Sequence, residues 1–185
     1  MTTVYARNVN EAYTIGMRML HADHDLQDSR AGEVMVHPSP VTTVYTRPYE
    51  RVLFNKDRDA NPFFHLMEGL WMLSGRNDVD WISQYNSGFK KFSDNGHTFH
   101  GAYGHRWRVW FNCDQLEMVA KELKTNPDSR RCYVEMWDAT ADLCKEGKDF
   151  PCNVGIAFRV RGAWLDMTVF NRSNDIIWGA YGANA

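Results

Sequence analysis

Cys152 is the residue with the plainest chemistry. It sits in Phe-Pro-Cys-Asn, at the mouth of a stretch that alternates like a strand. Pro151 fixes the backbone before it, and a thiol at a strand end projects toward a cleft more readily than one in mid-strand. The thiolate is the reactive form, and nearby guanidinium groups favour it. A plain core thiol is the competing reading. Arginines form a second constellation. Arg130 and Arg131 stand side by side in Asp-Ser-Arg-Arg, Arg172 and Ser173 follow a later strand, and Arg30 lies in Ser-Arg-Ala-Gly. The planar fork of Arg suits phosphate oxygens, although an adjacent pair is equally at home as solvated surface. Glu68 is the third candidate. A carboxylate on an otherwise apolar helix is costly unless it is paired or put to use, or unless it marks that helix's one wet face. His97, His100 and His105 share one loop-rich stretch. They form no i, i+4 pair, and no carboxylate or thiol completes a set with them, so no metal site is expected.

The elements that must position these groups follow from periodicity. Glu11 to His21 reads as an amphipathic helix, Asp25 to Pro40 as a loop, and Val41 to Leu53, rich in Val, Thr and Tyr, as extended chain. Asn61-Pro62 opens a helix that Gly75 ends. Its Phe63, Phe64, Leu66, Met67, Leu70, Trp71 and Leu73 exceed a surface stripe, so deep burial is expected. Asp78 to Phe92 reads as a further helix and Asp94-Asn95-Gly96 as a turn. Asp114 to Lys124 is amphipathic and closed by Asn126-Pro127. Arg131 to Trp137 reads as a strand. Asn153 to Arg161 alternates clearly, with Val154, Ile156, Phe158 and Val160 on one face. Gly162 then turns the chain into Leu165 to Phe170. Helix-rich first, strand-rich later: the order predicts an α+β fold, with residues 1–185 as one domain.

Composition narrows the classes. The chain has 185 residues, 44% apolar and 24% charged, a globular balance. Lys plus Arg is 21 against 23 for Asp plus Glu, a net charge of −2. That argues against wrapping polymeric nucleic acid, which needs a broad cationic face, but allows a local phosphate site. No apolar run is long enough for a membrane span or a signal peptide. Cys113, Cys132, Cys144 and Cys152 form no C-x-x-C pair. Free thiols and a cytoplasmic setting are expected.

Taken in order, six segments resemble the thymidylate synthase family and its nucleotide hydroxymethylase relatives. They are Ser-Arg-Ala-Gly around Arg30, Glu68-Gly69-Leu70-Trp71 with Gly75, Tyr103-Gly104 with Trp107-Arg108, Ser129-Arg130-Arg131, Pro151-Cys152, and Asn171-Arg172-Ser173 with Asp175 and Gly179. The likeness runs from about Ser29 to Asn184. It implies a large mixed sheet packed against helices. It also implies one-carbon transfer from methylenetetrahydrofolate to carbon 5 of a pyrimidine nucleotide monophosphate. By resemblance, Cys152 is the nucleophile that adds to ring carbon 6. Arg30, Arg172 and Ser173 are phosphate ligands, and Arg130 and Arg131 reach the phosphate from the other subunit of a homodimer. Glu68 organises water and proton transfer beside the base, Tyr103 serves proton removal from carbon 5, and Asp175 meets the folate's pterin ring.

The sequence departs from the family pattern at four places. Asn153 follows the nucleophile where His is common. Asn171 stands for Gln before Arg172. Phe89 and Phe92 appear where a folate-side loop often carries Trp. Gly179-Ala180-Tyr181-Gly182-Ala183-Asn184 replaces Gly-x-Pro-Phe-Asn, so Asn184 reads the base only if this loop holds one extra residue; otherwise Ala183 takes its place. The exocyclic methylene formed during the reaction accepts hydride to become methyl or water to become hydroxymethyl. Asn153 and the Phe-for-Trp changes lean to water, hence to hydroxymethylation of dUMP or dCMP, and Asn184 leans to uracil. Reductive methylation of dUMP to dTMP is the alternative. A nucleotide-binding module without turnover, or an interaction protein with an inert Cys152, are the alternatives of other classes. Family members continue past the Asn184 region. The expectation is therefore a C-terminally incomplete chain, its own turnover left open, with uncovered apolar surface near Trp178 and Tyr181.

Overall fold

The computed structural model describes residues 1–29 and 32–183. Arg30 and Asn184 lie outside the described residues. The chain forms two compact units, one made of Met1–Pro62 with the segment that begins at Asn174, the other of Phe63–Ser173.

In the first unit, strand β1 (Thr2–Ala6) leads into helix α1 (Val9–Ala22). Asn8 caps the helix by accepting the amides of Asn10 and Glu11. β2 (Asp25–Ser29) and β3 (Gly32–Val36) form an antiparallel hairpin where the sequence reads as loop. Leu26, Met35 and Val36 stay exposed, so no face of the hairpin is buried and no period-two signal could mark it. β4 (Val41–Tyr45) pairs in parallel with β1. It ends at Tyr45, short of the extended stretch read to Leu53, and Pro48 just beyond has no amide to donate to a continued ladder. A kinked wide turn, Ile176–Ala183, breaks at Tyr181. Tyr181 is buried with Val4, Ala6 and Ala12, and its hydroxyl meets Thr43 Oγ1 at 3.0 Å. The expectation of an uncovered Tyr181 is therefore corrected, since α1, β1 and β4 already cover it. Trp178 remains 65% exposed, under the Arg58 guanidinium at 4.2 Å.

The second unit opens with α2 (Pro62–Leu73). Gly75, at φ +72°, supplies the left-handed residue just after it. Only Phe64 and Trp71 are buried. Phe63, at 79% exposure, and Leu66, Leu70 and Leu73 are not, which corrects the expected all-round burial. The packing partners Val79, Ile82 and Phe99 engage one side of the helix alone. The expected Asp78–Phe92 helix is instead α3 (Val79–Ser83) followed by a 3-10 turn, Ser87–Phe92. Asn86 caps that turn by accepting the Gly88 amide, which ends the α-helical run. α4 (Tyr103–His105) continues as a wide turn, Arg106–Trp110. Gly104 lies against α2, where a Cβ would run into the Met72 backbone. α5 (Gln115–Thr125), capped by Asp114, packs on a sheet ordered β5 (Tyr133–Glu135), β6 (Asn153–Arg161) and β7 (Trp164–Asn171). Their shared core is Val119, Cys132, Val134, Met136 and Ile156. α6 (Ala139–Asp142) is capped by Asp138.

The α+β class holds, but the strands of the described residues fall into three small sheets rather than one large mixed sheet. Nor are helix and strand segregated along the chain, since four strands precede α2. No helix of the described residues is long and apolar enough to cross a membrane.

The second unit is built around a buried ion pair. Arg106 and Asp142 side chains both have 0% exposure, with Nη2–Oδ1 at 2.9 Å and Nη1–Oδ2 at 3.0 Å. Arg106 also donates to the His100 and Met136 carbonyls and lies over Trp110 at 3.8 Å. Burial pushes the Asp142 carboxyl up. Bonds from Arg106, the Asp138 amide and His100 outweigh it and hold it below the ordinary carboxylate value. Removing one partner strands the other charge. Asp142→Ala should cost about 3–5 kcal/mol in urea unfolding; a loss under about 1 kcal/mol would show that Arg106 is not held by this pair.

Candidate active site

Hairpin arithmetic brings the nucleophile candidate to its arginine. Arg161 pairs with Trp164 across a two-residue turn, and the register runs back to Asn153 opposite Asn171 after one bulge at Val154. Bulges re-aim side chains and recur beside active sites. Arg172 thereby sits beside Cys152. Its amide donates to the Cys152 carbonyl at 3.0 Å, and its Nε donates to the Pro151 carbonyl at 3.0 Å. The guanidinium lies over Trp137 at 5.2 Å and stays exposed. It is oriented yet reachable, as an anion ligand must be.

Tyr103, at the start of α4, approaches from the other side. Its phenol faces the Cys152 thiol and the backbone amides of Cys152 and Asn153. Burial, then the neighbouring Cys152, pushes the phenol's pKa up, so it stays protonated and serves as a donor. Asn153 is only 6% exposed, and its Oδ1 has no hydrogen-bond partner. A buried acceptor left unsatisfied costs about 1–3 kcal/mol, so a donor from a ligand or a water has a place there. Cys152 is partly exposed, and all four cysteines are free.

Other expected residues stand elsewhere. Glu68 lies one turn before Met72 on α2, and Met72 is the residue that Gly104 touches, next to Tyr103. Burial alone pushes the Glu68 carboxyl up to about 7. Arg131, its side chain 79% exposed, pairs with Glu122 at 2.8 Å. Arg130 and Ser173 are exposed. Phe89, read as a folate contact, packs against Phe64 and Phe99 with ring centroids 5.5 and 5.2 Å away. Phe89 is itself half-buried. Asp175 belongs to the first unit, where Oδ1 accepts the Ile177 and Trp178 amides at 2.8 Å each. It is exposed, so the carboxylate is both fixed and reachable. His100 binds Asp142 at 2.6 Å, and His105 Nδ1 meets the Gly75 carbonyl at 3.2 Å. Among the described residues no cluster of three His, Cys, Asp or Glu side chains could hold a metal ion.

Sequence reasoning missed Arg106, Asp142 and Asp149. Nothing in the sequence distinguishes a fully buried Arg from a surface one. Asp149, three residues before Cys152, carried a signal only in its closeness to Pro-Cys.

Glu68 titration gives a stability test. Ionised Glu68 is disfavoured in the folded chain, so the folded state holds its proton between the ordinary 4.5 and about 7. Stability should fall across that window as pH rises, by about 3 kcal/mol at most, and level off above it. Glu68→Gln should flatten the curve in denaturant titrations. An unchanged curve would contradict a buried, proton-holding Glu68.

The chain is similar to known proteins of one family. Residues 58–182 match the family described as Thymidylate synthase. A deoxyuridylate hydroxymethyltransferase of Pseudomonas phage M6 is 54% identical over 100% of this chain and 53% of its own length. One of Bacillus phage SP01 is 39% identical over 78% of this chain and 41% of its own, and one of Delftia phage PhiW-14 is 30% identical over 75% and 41%. The chain thus spans about half the length of the curated relatives it matches. With the motif order, the Cys152–Arg172 hairpin end and these matches in agreement, the chain belongs to the thymidylate synthase family.

Proposed function

We propose that this chain carries the nucleophile-bearing part of an enzyme that transfers one carbon to carbon 5 of deoxyuridine monophosphate and leaves it there as hydroxymethyl. The observation that carries the reading is the cluster at the hairpin end: Cys152 between the Tyr103 phenol and Arg172, with the unpaired Asn153 Oδ1 beside it. The three relatives, each a deoxyuridylate hydroxymethyltransferase, support the choice of dUMP and of hydroxymethyl.

Residues 1–185 act in this reading as one catalytic domain, with Arg172, Ser173 and Arg30 on the phosphate. Arg130 and Arg131 reach the phosphate of a second copy in a homodimer; the exposed Arg131 guanidinium has Glu122 to hold its reach. Cys152 thiolate attacks carbon 6. The electrons of the 5,6 double bond move onto the ring oxygen at carbon 4, which makes carbon 5 nucleophilic. Methylenetetrahydrofolate, held in part by Asp175, supplies the one-carbon unit as an electrophilic methylene. Tyr103 passes on the carbon 5 proton through water, and Glu68, holding a proton near neutral pH, relays protons beside the base. Carbon 5 bonds to that methylene, and as the carbon 5 proton is lost the methylene–nitrogen bond breaks, the pair leaving with tetrahydrofolate, so that an exocyclic methylene stands on carbon 5. Asn153 Oδ1 accepts a hydrogen bond from the water that adds to it, the thiolate leaves carbon 6, and the double bond returns. Asn184 is assigned to the base edge.

The test is product identity. The chain, given dUMP and methylenetetrahydrofolate, should yield 5-hydroxymethyl-dUMP by mass spectrometry, and the folate should end as tetrahydrofolate. Cys152→Ala should lower turnover on the order of a thousandfold or more. A methylated nucleotide formed one for one with dihydrofolate would overturn the hydroxymethyl reading in favour of thymidylate synthesis.

A further inference from the structure

We infer that Asp149 is a positioning residue: its carboxylate clamps the His100–Gly101 backbone to the segment leading into Cys152 and so sets the register in which Tyr103 meets the thiol. The inference deepens the proposed function, because it rests on Tyr103 and Cys152 working as a pair.

The clamp is a carboxylate spanning two consecutive amides. Asp149 Oδ2 accepts the His100 amide at 2.6 Å, and Oδ1 accepts the Gly101 amide at 3.1 Å. The two segments then run on together. Two residues beyond Gly101 lies Tyr103, three beyond Asp149 lies Cys152, and these two meet. Gly101 keeps the approach tight. A Cβ there would stand 2.8 Å from the Phe150 carbonyl carbon and 2.9 Å from the Pro151 nitrogen. That is closer than atoms pack, so any side chain at 101 pries the segments apart. The far end of the clamp is anchored. His100 Nε2 donates to Asp142, its carbonyl accepts from Arg106, and its ring lies edge-on to Phe150 at 6.0 Å. Burial pushes the Asp149 carboxyl above its ordinary value, and the bonds from the Gly101 and His100 amides offset only part of that rise.

Carboxylate chemistry is what the position requires. Both Asp149 oxygens accept. An Asn offers one acceptor, and its amide nitrogen would confront the second backbone N–H. The thiol senses the register because the Tyr103 phenol donates to the thiolate form, so a slip in register removes that donor.

The test reads Cys152 reactivity in the full chain, with neither nucleotide nor folate present, so its result is independent of whether dUMP is turned over. Iodoacetamide alkylation, mapped by peptide mass spectrometry, follows Cys152 against the exposed Cys144 as an internal standard. Tyr103→Phe should slow Cys152 alkylation about three- to tenfold and leave Cys144 unchanged. Asp149→Asn should slow it equally, and the double variant should be no slower than either single one. Asp149→Glu, which keeps two acceptors, should recover most of the wild-type rate, a rescue that loss of packing alone would not give. If Asp149→Asn does not fold, Gly101→Ala, which keeps Asp149, should produce the same slowing. A wild-type rate in a folded Asp149→Asn or Gly101→Ala chain, no effect of Tyr103→Phe, or slowing that multiplies in the double variant would overturn the inference.

Discussion

The Arg106–Asp142 pair is the constraint on which the second unit depends. A guanidinium and a carboxylate with no exposure are tolerable only when their bonding capacity is met. Arg106 meets its own through the Asp142 carboxylate and the His100 and Met136 carbonyls. Asp142 adds the Asp138 amide and the His100 ring. Satisfying two charges therefore draws the 100–106 segment, the end of β5 and α6 into one place. Slippage of any of these strands a buried charge. The arrangement is accordingly single-valued, and Tyr103, three residues from each end of that segment, is delivered to a definite position.

From that anchor the chemistry follows by short covalent steps. Register along β6 and β7 fixes Arg172 opposite Cys152, and the Asp149 bonds fix Tyr103 against it. A thiol, a neutral phenol and an oriented cation then share one strand end, each held by backbone contacts rather than by its own flexible side chain. That is how a site achieves preorganisation. The one loose element is Asn153 Oδ1, buried without a partner. A common family member has His at this position. In the proposed reaction a short amide here in place of an imidazole offers an acceptor to the water that adds to the exocyclic carbon.

Much of this was legible from residues. Strands β6 and β7, the α5 helix and the Gly75 stop follow from alternation, amphipathicity and turn chemistry, and the order of motifs pointed to Cys152, Tyr103 and Arg172. The misses have definite causes. The β2–β3 hairpin buries neither face, so its sequence lacks alternation. Helix α2 is apolar all round, yet the chain covers one side of it, and composition cannot say how many neighbours a helix will have. Arg106 and Asp142 lie 36 residues apart, and no local pattern announces that two charges will be buried together.

The account stands on Cys152 adding to carbon 6 of a pyrimidine ring. Its most direct measurement is the mass of the Cys152 peptide after the chain is incubated with 5-fluoro-dUMP and methylenetetrahydrofolate, since fluorine at carbon 5 blocks release of the adduct. The account predicts a covalent nucleotide on Cys152, absent in Cys152→Ala. Nucleotide bound with an unmodified Cys152 would contradict it and leave a binding module in place of an enzyme.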